Sequence, residues 1–324
     1  MRPTFLTRLV NGPLFDPMLY VRLLNRRSSL LFDCGRISGL ANREILSLES
    51  VFLSHLHMDH SMGLDQVFRV ILHRDRPVHI YGPEGIMDKV ISRLSSYEWN
   101  LTRDYPLEVF IHEVGEHEIH TTSARAHESF RRSRTDSITR EGASIASHPR
   151  YCVDAVVLDH NIACLGYVLR EPFHINIRSE AVHDRDYKTG PWIGLLKEHI
   201  LMGRMNEYVR VPTSGGMKEI PVNELVDELV IISPGQKIGY ITDIRCSQEN
   251  IDRIAAVASS VDLLFIEAYY LSERESQAHE KAHLTARQAG MIARLLEAKK
   301  VVAMHISPRY HDRTEEIYHE LDNL

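Results

Sequence analysis

An α/β layered fold, sheets covered by helices, follows from three features of the sequence. The first half is a series of short apolar runs bounded by Pro, Gly, Asp or Asn. The second half alternates such runs with helical spacing, and the chain of 324 residues is 44 % hydrophobic, enough to bury both. In the first half, residues 19–24, 29–34, 51–55, 78–82, 107–114 and 151–158 read as strands in hairpin order. Between the last two, residues 126–150 are polar and carry Arg131, Arg132, Arg134, Arg140 and Arg150, so they read as an excursion from the core. In the second half, residues 237–243, 261–268 and 300–306 read as buried strands. Ser247 caps a helix whose Ile251, Ile254, Ala255 and Ala258 share one face; Thr285 and Gln288 make a capping box before Ala289, Ile292, Ala293 and Leu296. Residues 172–235 fit neither pattern and are too long for a loop, so they read as an inserted arm on one body spanning 1–324. Within the arm, residues 193–202 have helical character, and Gly215-Gly216 marks a turn.

Composition narrows the function. Lys and Arg number 38 against 44 Asp and Glu, a formal charge of −6, which disfavours a protein that grips nucleic acid over its whole surface. A polyanionic partner must therefore meet a local basic patch or a metal centre. No apolar run approaches the ~20 residues of a membrane span, and the first 17 residues lack the unbroken apolar stretch of a secretory leader. Cys34, Cys152, Cys164 and Cys246 are scattered without a CxxC pair, so the expected setting is reducing and cytoplasmic. Histidine, with 19 residues, is the unusual count.

Several of those histidines cluster at Ser54-His55-Leu56-His57-Met58-Asp59-His60, directly after an apolar run. Residues i and i+2 of an extended chain face the same way, so His55 and His57 reach one ion together. A turn starting at Met58 carries Asp59 and His60 toward a second. Imidazole nitrogens and carboxylate oxygens suit zinc, with manganese or iron also suited to such sites. One loop does not saturate two ions. His160, Asp243 and His305 each stand where an apolar run meets a loop, and they supply the further candidates.

Together these residues resemble the metallo-β-lactamase superfamily of binuclear hydrolases. Ile266-Glu267-Ala268-Tyr269, His283-Leu284-Thr285-Ala286-Arg287-Gln288-Ala289 and His305-Ile306-Ser307-Pro308-Arg309-Tyr310 narrow the resemblance to the ribonuclease Z branch, the tRNA 3′-processing endonucleases. Leu31-Phe32-Asp33-Cys34-Gly35, and Leu158-Asp159-His160 followed by Gly166-Tyr167, fit the same family. The resemblance implies an αββα sandwich, two mixed sheets flanked by helices. It implies a first metal on His55, His57 and His160, a second on Asp59, His60 and His305, and Asp243 between them, the ions being two Zn2+ with Mn2+ or Fe2+ as substitutes.

The activity so implied is phosphodiester cleavage of precursor tRNA by a hydroxide bridging the two ions. Asp59 also orients or deprotonates the water, and His283 protonates the leaving 3′ oxygen while Glu267 holds its tautomer. The family's arm carries a Gly-Pro element, here Gly190-Pro191, and serves the partner's cleft in a homodimer. Yet the arm has Glu180, Asp184, Asp186, Glu198 and Glu207 alongside its bases, so the arginines of 131–150 are an alternative basic surface. Two other readings stand beside this one: the same chemistry on cyclic nucleotides or other small diesters, and a metal-loaded binding protein without catalysis.

Overall fold

The computed structural model describes residues 3–24 and 26–322; Met1 and Arg2 of the N-terminal stretch read above, and Asn323 and Leu324, lie outside them. The chain divides into two compact units: residues 1–145, 153–169 and 237–324 form the first, and 146–152 with 170–236 the second. The second unit thus begins two residues before the expected arm, ends one after it, and takes in the short segment 146–152.

The first unit is built on two sheets. One has eight strands in chain order, Phe5–Leu9, Leu19–Leu23, Ser29–Phe32, Leu48–Phe52, Val78–Gly82, Glu108–Val114, Glu118–Arg125 and Asp136–Thr139. The expected hairpin order is corrected here. Ser29–Phe32, Leu48–Phe52, Val78–Gly82 and Glu108–Val114 run parallel, and helices Asn42–Leu46, Leu64–Ile71 and Ile86–Ser95 occur between them. Parallel neighbours need such crossovers. In the helix Leu64–Ile71, Leu64, Val67, Phe68 and Ile71 are buried at i, i+3, i+4 and i+7 and join Val51, Ile80 and Val109 in one core.

The second sheet runs Val301–Met304, Leu263–Glu267, Lys237–Ile241, Ala163–Arg170 and Tyr151–Asp159, its first three strands parallel. Both expected helices are present. Ser247 accepts from the Asn250 N–H ahead of Gln248–Ala258, and Thr285 with Gln288 closes the box ahead of Ala286–Leu295. Their buried Ile251, Ile254, Ile292 and Ala293 pack with Leu264, Ile266 and Ala303.

Aromatic rings join the facing sheets. Phe52 lies 5.5 Å from Tyr167 between ring centres, and Phe32 lies 5.7 Å from both Tyr167 and Tyr240. Alternation along Leu48–Phe52 explains this: Val51 joins the helix-side core while Phe52 points at the other sheet. The two sheets and their helices make the αββα sandwich. The 126–150 excursion is less free than expected, because Ala126 and Phe130 are fully buried and Asp136–Thr139 and Ser144–His148 are strands.

The second unit has its own core of Ile175, Val182, Trp192, Leu196, Val209, Val211, Ile220, Val222, Leu225 and Leu229. Its pairs are His174–Ile177 with Val230–Ser233, and Tyr208–Thr213 with Gly216–Pro221. The latter turn closes through Gly216 at φ +112°, a conformation other residues avoid. The helix Trp192–Leu201 follows Gly190-Pro191, and the Trp192 indole donates to the Lys188 carbonyl at 2.8 Å.

Candidate metal centre

All the candidate ligands arise at strand ends of the first unit. His55 follows Leu48–Phe52 by three residues, His160 directly follows Tyr151–Asp159, Asp243 follows Lys237–Ile241, and His305 follows Val301–Met304. Met58–Ser61 forms the single helical turn that brings Asp59 and His60 around, with His57 capping it. Asp33, Asp243 and His305 hold φ of 55°, 50° and 51°, the left-handed region. A non-glycine residue held there costs of order 1–3 kcal/mol, and its neighbours must enforce it.

The side chains converge. His55, His57, His160 and Asp243 form one group able to hold a cation, and Asp59, His60 and His305 form another. The Asp243 Oδ2 oxygen sits between them, 3.4 Å from His60 Nε2, 3.6 Å from His160 Nε2 and 3.7 Å from His55 Nε2. Asp59 reaches in from the more open side, its Oδ2 lying 3.3 Å from His305 Nε2 and 3.6 Å from His60 Nε2.

The Nδ1 nitrogens of His55, His60, His160 and His305 are occupied, which fixes how those imidazoles face. His160 Nδ1 lies 2.8 Å from the Ala282 carbonyl and must donate to it, so its Nε2 keeps a free lone pair. Asp33 does the same for His60, accepting from Nδ1 at 2.8 Å. That carboxylate also accepts from the Ser54 N–H at 2.7 Å, the Ser54 hydroxyl and the Tyr240 hydroxyl at 2.8 Å. Ser54 lies 3.1 Å from His55 Nδ1 in turn. The loop of Asp33 is pressed on the ligand turn: Cys34 N–H donates to the His60 carbonyl at 2.8 Å, and a Cβ on Gly35 would collide with the Asp59 carbonyl. The Asp-Cys-Gly run is therefore the wall behind the ligands.

Two observations show that these residues fit metal ions. His55 Nε2 and His60 Nε2 are buried and have no hydrogen-bond partner, a state that costs about 1–3 kcal/mol for each unless something binds there. The charges also match a cation. Burial, with His60 nearby, pushes the His55 imidazole down to about 2, so it is the neutral ligand form. Burial opposes charge on His60 and His305 as well, but Asp243 and its neighbours win. His60 is raised well above its ordinary value and His305 to about 9. Asp59 and Asp243 are held low despite burial, by His305 in both cases and by His60. In the bare site two protons thus balance the carboxylates, in the places where a metal cation would take over.

Beside this cluster, His283 Nδ1 meets Glu267 Oε2 at 2.8 Å. Glu267 is fully buried at the end of Leu263–Glu267, and its other oxygen accepts from the Ile244 N–H at 2.7 Å and the Leu284 N–H at 3.3 Å. Backbone donors on one oxygen thus fix the carboxylate whose other oxygen holds His283. Burial works against charge on His283, yet Glu267 raises its pKa above the usual value. Tyr269 stacks on the ring at 4.2 Å and 11°, and the ring centre is 5.0 Å from that of His160. Every candidate site residue read from the sequence is therefore in one cluster. Sequence reasoning missed the supporting roles of Ser54, Tyr240 and Tyr269. Asp33 carried a motif signal but no function.

Within the 131–150 surface, Arg131 and Arg134 are exposed, while other arginines there bond to groups of the chain. Arg132 pairs with Asp88 at 2.6 Å, and Arg140 donates to the carbonyls of Gly115, Ala143 and Ala155.

Two face-to-face mixed sheets with a His/Asp cluster at their strand ends define a metallo-β-lactamase-fold hydrolase, and residues 207–306 match the family model described as beta-lactamase superfamily domain. Among solved structures, the fold is shared with the metallo-beta-lactamase fold protein YhfI from Bacillus subtilis (TM-score 0.56, 12 % identity, 97 % of this chain and 90 % of that one). It is shared too with the short form of human tRNase Z (TM-score 0.51, 17 % identity, 94 % and 93 %). The chain belongs to the ribonuclease Z family: it is 32 % identical over 289 residues to ribonuclease Z of Deinococcus radiodurans, covering 88 % of this chain and 84 % of that protein.

Proposed function

We propose that the protein is a metal-dependent endoribonuclease that cleaves precursor tRNA at its 3′ end, working in the cytoplasm as a homodimer with a zinc pair. The observation that carries this reading is the Glu267–His283 pair set against the two ligand groups. A hydrolase that only needed a metal site would not need an imidazole held by a buried carboxylate beside it. Residues His55, His57 and His160 would hold one ion and Asp59, His60 and His305 the other, with Asp243 shared. When bound, the ions supply positive charge that eases deprotonation of water and offsets charge growing on the phosphate oxygens.

The chain's own groups do the rest. Asp59 has a half-exposed carboxylate facing the cluster, so it can accept a proton from the attacking water and hold its lone pair toward phosphorus. His283, whose charged form Glu267 favours against the effect of burial, delivers a proton to the leaving 3′ oxygen. Tyr269 stacks on the imidazole and limits its tilt. The unit at 170–236 would hold the body of the tRNA through its Gly190-Pro191 element, the arm of one subunit serving the cleft of the other. No described helix is long and apolar enough to cross a membrane.

The experiment is cleavage of precursor tRNA by zinc-reconstituted protein beside His283→Ala and Asp59→Ala. His283→Ala is expected to lower turnover by about 10²–10⁴-fold with metal content unchanged. Metal lost in step with activity would remove the acid role, and equal turnover of a cyclic nucleotide would remove the tRNA assignment.

A further inference from the structure

At the far end of the eight-stranded sheet from the ligands lies a pocket of about 600 Å³ ringed by arginine. Arg8, Arg22, Arg26, Arg27, Arg43 and Arg76 line it, against a single carboxylate, Glu44. In a chain whose net charge is −6, this concentration runs against the whole. Like charges brought together repel, and a bound counter-charge would relieve that repulsion.

The arginines come from separate places: Arg8 and Arg22 from paired strands, Arg26 and Arg27 from the turn before Ser29–Phe32, Arg43 from the helix Asn42–Leu46, Arg76 from the approach to Val78–Gly82. Two are anchored. Arg8 donates to Glu44 at 2.7 Å and the Gly39 carbonyl at 3.0 Å, and lies over the Tyr20 ring; Arg76 donates to the Leu46 carbonyl at 2.6 Å. The guanidinium groups of Arg22, Arg27 and Arg43 have no ion pair or hydrogen bond to any described residue. A second observation is independent of charge. Ser28 also lines the pocket, is 4 % exposed, and its hydroxyl has no hydrogen-bond partner among the described residues. A buried hydroxyl left unpaired costs about 1–3 kcal/mol, and a ligand oxygen in the pocket would satisfy it.

We propose that this pocket is a binding site for a nucleoside polyphosphate, separate from the metal centre. The volume suits a small molecule of nucleotide size. Guanidinium forks match phosphate oxygens in pairs, and a polyphosphate concentrates several charges in a space where an RNA backbone puts one or two. The scissile phosphate is not the occupant. Ser28 and Asp33 bracket the strand Ser29–Phe32, so at the strand rise the pocket is about 16 Å from the wall of the metal centre.

The test is titration of the metal-loaded protein with a fluorescent ATP analogue, magnesium in excess, followed by displacement with inorganic tripolyphosphate. The wild type should bind the analogue and release it to tripolyphosphate. The triple variant Arg22→Ala/Arg27→Ala/Arg43→Ala should bind at least about tenfold more weakly while its precursor-tRNA cleavage is unchanged. Asp59→Ala should bind the analogue like the wild type. Should the triple variant melt early, the single exposed substitution Arg27→Glu gives the same reading. The proposal is overturned if the wild type shows no binding up to millimolar analogue, or if the arginine variants bind as tightly as the wild type. It is also overturned if Asp59→Ala abolishes binding, which places the nucleotide at the metals, or if the arginine variants raise KM for precursor tRNA without affecting nucleotide, which makes the pocket an RNA contact.

Discussion

Asp33 touches only one candidate ligand, His60, yet four donor groups from three residues end on its carboxylate. Removing it strands the Tyr240 hydroxyl and the Ser54 N–H in a fully buried place and frees His60 to turn. Asp33→Ala is therefore expected to weaken metal binding by about 10–100-fold, measured by competition with a chromogenic chelator. Metal affinity equal to that of the wild type would show that His60 is held by other means. A second residue-scale prediction concerns pH and lies away from the metals. His112 is half-buried, sits 3.0 Å from His79 and 2.9 Å from the Thr121 hydroxyl, and stacks on Tyr81 at 4.2 Å. Burial, then the nearby His79, lowers its pKa to about 3. The unfolded chain takes up that proton near pH 6.5 and the folded one does not, so the contribution is full above 6.5 and is lost as pH falls toward 3. In metal-free protein, His112→Gln should flatten the decline of unfolding free energy between pH 6.5 and 4, by up to about 1.4 kcal/mol per pH unit. Parallel curves for the two proteins would contradict this.

At the scale of elements, the sequence was readable wherever a local rule acts. Period-two spacing put His55 and His57 together, and the Ser247 and Thr285 caps announced their helices because a cap is a bond within one turn. Ala163–Arg170 left no such mark. Its residues 164–169 are buried on both faces, so no alternation distinguishes it. Phe5–Leu9 has the reverse difficulty, with only Phe5 buried on an edge strand. The crossover Asn42–Leu46 is too brief to show a helical period, but Leu64–Ile71 carries one in Leu64, Val67, Phe68 and Ile71, a local signal of the parallel order that the hairpin reading passed over. At the site, the ligands were legible as residue types at strand ends. Their supports were not, since Asp33 meets Tyr240 across 207 residues of chain and Gly35 matters only because the Asp59 carbonyl lies against it.

At the scale of the whole molecule, two units divide the proposed labour. The insertion leaves and returns through paired strands, His174–Ile177 with Val230–Ser233, and the Glu171 N–H donates to the Gln236 carbonyl at 2.8 Å. A short turn can therefore bridge Glu171 to Gln236 in place of residues 172–235. That deletion should retain metal content and hydrolysis of a small chromogenic phosphodiester, while KM for precursor tRNA rises at least about tenfold. An unchanged KM would mean that the arm holds no part of the tRNA. The arm bears more acidic than basic side chains, so its grip should depend little on salt.

The account as a whole rests on a pair of cations between the two ligand groups. Anomalous diffraction at the zinc edge from crystals of the zinc-loaded protein measures this directly. Two peaks are predicted, one among His55, His57 and His160 and one among Asp59, His60 and His305, with Asp243 reaching both. A single peak at one group, or peaks elsewhere in the chain, would contradict it.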